Sequence, residues 1–260
     1  PVALYPGLTD DSPARAAQWL PQAEAEVHAL LRRHFRGPKE GQVRIQVLGG
    51  AGFHDLLDQL RHGDTDLIIV GKHETNVPFV EKLARKALCS VMIVPSGRSV
   101  GYRRILVTTD FSNHSARAME VAVAFARARK LKQLVCFNGY QIPYGQHRTG
   151  IPREKYRKDT ETWRAAHFEE FRQQIDLTGL AAEFICRESP LVAQGILREV
   201  ERQKSDLLVM GARGMDALAA ALLGSTTAQV VRESPIPTLV VKAKGAGRSV
   251  LDLLFGVEHS

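Results

Sequence analysis

Gly211-Ala-Arg-Gly214, nine residues, then Gly224-Ser225-Thr226 is a spacing suited to holding phosphate. It follows an apolar run, Asp206-Leu-Leu-Val-Met210, that reads as a buried parallel strand. Two glycines at a strand end let backbone approach a ligand closely. Gly-Ser-Thr at the start of the next helix supplies free N–H groups, two hydroxyls and the positive end of a helix dipole. Together these suit a phosphate chain. The pattern is not a Walker A loop, which needs Gly-Lys-Ser/Thr after a four-residue gap. The residues from Met215 to Leu223 are rich in Ala and Leu and read as the possible start of a helix.

Elements that position this pattern emerge from an internal repeat. Asp66-Leu-Ile-Ile-Val-Gly71 matches Asp206-Leu-Leu-Val-Met-Gly211 at an offset of 140, and Val43–Val47 falls on Glu183–Arg187. Met92-Ile-Val94 matches Leu239-Val-Val241 at an offset of 147. The second copy has therefore gained seven residues, and they fall where the glycine pattern lies. In the first copy Gly71 survives, but Glu74 stands in place of Gly214, and Val77-Pro78 in place of Gly224-Ser225.

The second copy alternates strand and helix: strand 105–109, helix 114–130, strand 134–137, a loop from Gly139, helix 153–175, strand 182–187, helix 190–203, strand 206–210, a helix after Gly224 and strand 237–242. The first copy predicts strands at 2–5, 43–48, 66–70 and 91–94, with helices at 13–35, 52–62 and 77–88. Nothing in it corresponds to Ile105–Lys130, so its first strand and helix are expected to be lost or to precede Pro1. The fold class is α/β: two tandem open parallel-sheet, Rossmann-like domains, the first degenerate and N-terminally incomplete. The expected boundaries are 1–96, a linker at 97–102, a second domain at 103–244 and an apolar tail at 245–260.

A formal net charge of +7 invites a nucleic-acid reading. The basic residues are dispersed, however, and Arg153–Lys158 is followed by Glu161, Glu169 and Glu170, the pattern of a solvated helix. Neither a nucleic-acid nor a membrane partner is expected, because no apolar run reaches the roughly 18 residues a span requires. No secretory signal is visible. Cys89, Cys136 and Cys186 are widely separated and lack a Cys-x-x-Cys pair, so they read as buried thiols in a reducing, cytoplasmic compartment. No protein metal site is expected.

The second copy resembles a universal stress protein domain, and the whole chain a tandem member of that family. The residues that carry the likeness are Ile105-Leu-Val-Thr-Thr-Asp-Phe-Ser112, Val209-Met-Gly-Ala-Arg-Gly214, Leu223-Gly-Ser-Thr226 and Ser234-Pro-Ile-Pro-Thr-Leu-Val-Val241. The resemblance implies bound ATP, with or without Mg²⁺. Thr108, Thr109 and Asp110 would line the adenine, and Phe137, a position usually smaller and aliphatic, would touch the base. Met210, Gly211 and Gly214 would run under the ribose and α-phosphate. Gly224, Ser225 and Thr226 would hold the β- and γ-phosphates. The family pairs through last strands, so Val91–Val94 and Thr238–Val241 would associate as an intramolecular pseudo-dimer, with a homodimer of chains beyond it.

Plainer roles stand beside these. Asp110 can simply cap a helix, Gly211 can be a strand-end turn, Gly224-Ser225 can mark only a helix start, and Arg213 and His114 can be surface side chains. No evident base accompanies the phosphate pattern, so binding is expected rather than committed catalysis, with slow hydrolysis at most. The other functional expectation is an interaction module of the same fold, with the tail and the 139–152 loop as its contacts. An adenylating enzyme is disfavoured, because Thr108–Ser112 lacks a Ser-Gly-Gly-x-Asp-Ser loop.

Overall fold

Short β-branched and aliphatic runs form the strands, and helices with one apolar stripe cover them. The computed structural model describes residues 65–97, 101–214 and 223–242, together with Ala25, Ala29, Phe53 and Leu56–Asp58. The chain divides into two compact units, Pro1–Gly63 and Asp64–Ser260. The expected strands 2–5 and 43–48, most of helices 13–35 and 52–62, residues 215–222 and the tail lie outside the described residues.

In the second unit the strands are β1 (Leu67–Lys72), β2 (Ser90–Pro95), β3 (Ile105–Thr108), β4 (Gln133–Tyr140), β5 (Ala181–Glu188), β6 (Leu207–Gly211) and β7 (Thr238–Val241). The helices are α1 (Val77–Lys86), α2 (Asn113–Ala128), α3 (Arg153–Arg172), α4 (Val192–Arg202) and α5 (Ser225–Glu233). The strands form one sheet in the order β1-β2-β7-β6-β3-β4-β5. All neighbours are parallel except β2 and β7, which run antiparallel. The α/β class with a mostly parallel open sheet is therefore as expected.

The chain leaves β3 for β4 and β5 on one side, then returns to place β6 and β7 on the other. The strand order reverses between β3 and β6, and open sheets take ligands at the carboxyl ends of such a pair. Alternation along the strands splits the core. Ile105, Val107, Leu134, Cys136, Val209 and Leu239 pack with Ala118, Ala122 and Phe125 of α2 and with Phe168 and Phe171 of α3. On the other face α4 packs on β4, and α1, α4 and α5 contact one another in series. Asp206, at the start of β6, accepts the N–H groups of Arg103 (2.8 Å) and Arg104 (2.7 Å), which ties the chain entering β3 to β6.

Two element ends differ from expectation. β4 continues through Gly139, which was expected in a loop, because Gly139 and Tyr140 pair with Arg187 and Glu188 of β5. The helix expected to reach residue 175 ends at Arg172, and Gln173–Ile175 follow in turns whose N–H groups bond three residues back.

Candidate functional site

The end of β3 is rebuilt by its own side chains. Thr109 is buried, and its N–H donates to the Phe137 carbonyl at 2.9 Å, extending the sheet by one bond. Its Oγ1 accepts the Phe111 N–H at 3.0 Å and donates to Ser115 Oγ at 3.1 Å. Thr109 thus shapes the turn from inside, while Thr108 is half-buried at the strand terminus.

Asp110 does part of what its plainer reading required. Its Oδ1 accepts the Ser112 N–H at 3.1 Å and the Ser112 hydroxyl at 2.6 Å. The cap of α2 is nevertheless Ser112, whose Oγ accepts the Ser115 N–H at 3.2 Å. Between them, Phe111 has φ of 68°. A bulky residue in that left-handed region is strained by about 1–3 kcal/mol. Its ring is held against Phe171 (5.8 Å) and Phe184 (6.2 Å), which offsets the cost.

The glycines of the phosphate pattern close on this turn from β6. A Cβ on Gly214 would lie 2.6 Å from Asp110 Oδ2. A Cβ on Gly211 would lie 3.0 Å from the His114 carbonyl oxygen and 3.2 Å from that of Arg213. A side chain at Gly214 would displace the Asp110 carboxylate, and one at Gly211 would press on backbone. The Gly211 carbonyl accepts the Thr227 hydroxyl at 3.1 Å, and the Gly224 N–H donates to Ala212 at 2.9 Å. The start of α5 is thereby fixed against the end of β6. Gly224 is the N-cap of α5 and provides no side-chain hydrogen bond there. Ser225 is exposed and Thr226 half-buried at the first turn. The N–H groups and dipole of such a turn suit an anion.

The electrostatics agree in sign. Burial, then the Arg213 and Arg117 charges, push the His114 imidazole below its ordinary value, while Asp110 opposes them. Burial and Arg213 also lower Lys242. Two guanidiniums therefore lie close enough to be felt at the mouth of the site.

Asp110, Gly211, Gly214, Gly224, Ser225 and Thr226 are brought together in this way. Met210 is buried in β6. Phe137 is 1% exposed, and its ring rests against Gly139, with Cε1 3.3 Å from where a Cβ would be. Toward the β3 end it offers its carbonyl. Two contributors were not legible beforehand: Thr227 and Asn138. The buried Asn138 donates to the Thr109 carbonyl at 2.7 Å and accepts from Arg164 Nη1 at 2.8 Å. A polar residue inside an otherwise apolar strand was the only available signal.

Residues 101–242 match the universal stress protein family. The chain belongs to that family. A universal stress protein of Thermus aquaticus, from the QAH/OAS sulfhydrylase 3′ region, is 32% identical over 142 residues, covering 54% of this chain and 99% of that one. The solved universal stress protein of Archaeoglobus fulgidus superposes with a TM-score of 0.62 at 18% identity, over 93% of this chain and 83% of its own. PA1789 of Pseudomonas aeruginosa, described as functionally unknown, superposes with a TM-score of 0.55 at 19% identity, over 92% and 80%. At such identities these two likenesses concern the fold. Among the described residues no universal stress protein helix here is long and apolar enough to cross a membrane.

Proposed function

We propose that this universal stress protein is a cytoplasmic regulatory protein that binds ATP through its second copy. One observation carries the reading. Gly214 lies against the Asp110 carboxylate, while Gly224 opens α5 and, having no side chain, adds no cap of its own. A cradle that any Cβ would fill, beside an uncapped helix start, fits a nucleotide. Thr108, Thr109, Asp110 and Phe137 face the base in this reading. Met210, Gly211 and Gly214 run beneath the ribose and α-phosphate. Gly224, Ser225 and Thr226 take the β- and γ-phosphates. Mg²⁺, where it accompanies ATP, would neutralise phosphate charge.

Binding is favoured over catalysis. Phosphoryl transfer needs a positioned water or nucleophile, and the groups gathered here hold charge rather than move protons. The first copy serves as a partner without a nucleotide. Its role as a pseudo-dimer half is supported by strand register. Val91 pairs with Val240, Met92 with Leu239 and Ile93 with Thr238. Under the repeat offset of 147 this set maps onto itself, with Met92 and Leu239 at its centre. Self-complementary pairing of that kind is what a two-fold relation produces. A further homodimer of chains extends the same proposal.

A second reading, an interaction module without nucleotide, is favoured by the Phe137 ring, which fills its own slot instead of leaving it open. Thermal unfolding with ATP, ADP and AMP separates the two. Ligand at about 100 times its dissociation constant stabilises by roughly 2.7 kcal/mol. A rise in Tm with ATP supports the first reading, and none with any adenine nucleotide leaves the second.

A further inference from the structure

A cavity of about 250 Å³ opens between α4 and the edge strand β5, lined by Phe137, Arg187, Glu188, Ser189, Gly195, Arg198 and Arg202. Three arginines in one small pocket need an explanation. Like charges repel, and nothing in the strand or helix pattern requires them together.

The pocket is built from beneath. Glu199, wholly buried, accepts Arg187 Nε at 2.8 Å, Arg202 Nη1 at 3.4 Å and Gln203 Nε2 at 2.8 Å. Burial raises its carboxyl, but the bonds from Gln203, Arg187 and Arg202 outweigh that and hold it below the ordinary value. It therefore stays ionised and orients two guanidiniums. The third is set by Ser189, whose hydroxyl accepts Arg198 Nη2 at 3.2 Å and donates to the Leu191 carbonyl at 2.7 Å. A Cβ on Gly195 would lie 2.7 Å from Ser189 Oγ, so glycine gives that hydroxyl its place. Glu188, also in the lining, is paired with Arg153, which offsets its charge.

Four arginines against two glutamates leave an excess of two positive charges. Each guanidinium carries five donors in a planar fork, and these bonds use few of them. Such forks match phosphate oxygens in pairs. A phosphomonoester carries about −1.5 to −2 at neutral pH, which balances the excess. The volume is below the roughly 300–1,000 Å³ of sites for drug-sized ligands, so the organic part is small.

We propose that this pocket is a second anion site, which takes the phosphate of a small phosphorylated metabolite. It does not depend on nucleotide binding at the β3–β6 cleft. The ring of Phe137 forms one wall, and its carbonyl holds Thr109, so the two sites share a residue.

Calorimetry of the full chain with inorganic phosphate and with glycerol phosphate, at constant ionic strength, tests this. Arg198→Met should weaken both ligands about tenfold or more, as loss of charge-assisted bonds does. Arg202→Gln should weaken them less, and Lys155→Met not at all. Circular dichroism checks the fold of each variant, and Arg198→Lys, which keeps charge but loses the fork, should still weaken binding several-fold. Gly214→Val, which fills the nucleotide cradle, should leave phosphate binding intact, and saturating ATP should not displace phosphate. The proposal is overturned if Arg198→Met and Arg202→Gln bind phosphate as the parent chain does. It is equally overturned if Gly214→Val or ATP abolishes phosphate binding. Absence of a Tm rise with any adenine nucleotide would remove the nucleotide reading and leave this one standing.

Discussion

The strand pairs β1–β2 and β6–β7 are copies of one pattern, yet they end differently. After β6, Gly211 leads through Gly214 to Gly224, and α5 begins without a side-chain cap. At the end of β1, Gly71 and Lys72 lead into His73 and a 3-10 turn at Glu74–Asn76. There the His73 N–H donates to Asn76 Oδ1 at 2.9 Å, and the Asn76 amide donates to the Gly71 carbonyl at 2.9 Å. Thr227 catches the Gly211 carbonyl in the same manner. Pro78 in the first turn of α1 removes one donor, and the Glu74 carboxylate would repel phosphate. Neither helix start has a side-chain cap, so the two ends differ through Pro78 and the Glu74 charge.

The first copy has gained a structural task. Lys72 is 8% exposed, and its Nζ donates to the carbonyls of Val231 (3.0 Å), Arg232 (3.0 Å) and Ser234 (2.8 Å) at the end of α5. Lys242, just after β7, donates to Arg85 (3.5 Å) and Ala87 at the end of α1. Each pair therefore places a cation on the helix end of the other, where the dipole is negative. An ion pair between Arg232 and Glu81 joins the same two helices.

The comparison breaks most sharply at Gly214. Gly214→Val should abolish the Tm rise given by ATP, a loss of about 2.7 kcal/mol at 100 times the dissociation constant, with circular dichroism unchanged. Glu74→Val, at the matching position of the first copy, should leave the ATP response as it is. Next in size, Lys72→Met should lower stability by about 2 kcal/mol in urea denaturation, because buried helix-end carbonyls lose their donor. Ser225→Ala removes an exposed hydroxyl from the open helix start and should weaken ATP roughly fivefold by calorimetry, about 1 kcal/mol. If Ser225→Ala instead abolishes fast, stoichiometric ADP release in a single turnover, the chain is an enzyme and the binding-only reading fails.

The remaining effect is one of pH. Burial lowers Lys242 from 10.5 to about 8. Between those values the unfolded chain binds more protons than the native one, so stability should rise with pH from about 8 to 10.5. Denaturation midpoints across that range check the slope, and Lys242→Met should flatten it.

The glycine spacing and the apolar runs made the sheet's class and the helix start at Ser225 readable, because strand runs and helix starts are set locally. The meeting of Asp110 with Gly214, about a hundred residues apart in the chain, came from the parallel register of β3 and β6. Phe137 was placed by alternation along β4, whose length depended on pairing with β5. Thr227 and the arginines of α4 carried no signal, and Asn138 only its polarity within a strand, since their roles exist only against residues from other elements. Local preferences, repeat spacing and hydrophobic period are properties of the chain itself and decided which elements would form. Which donors face a cavity, and which lysine reaches a distant helix end, depended on packing many segments at once, and folding alone settled it.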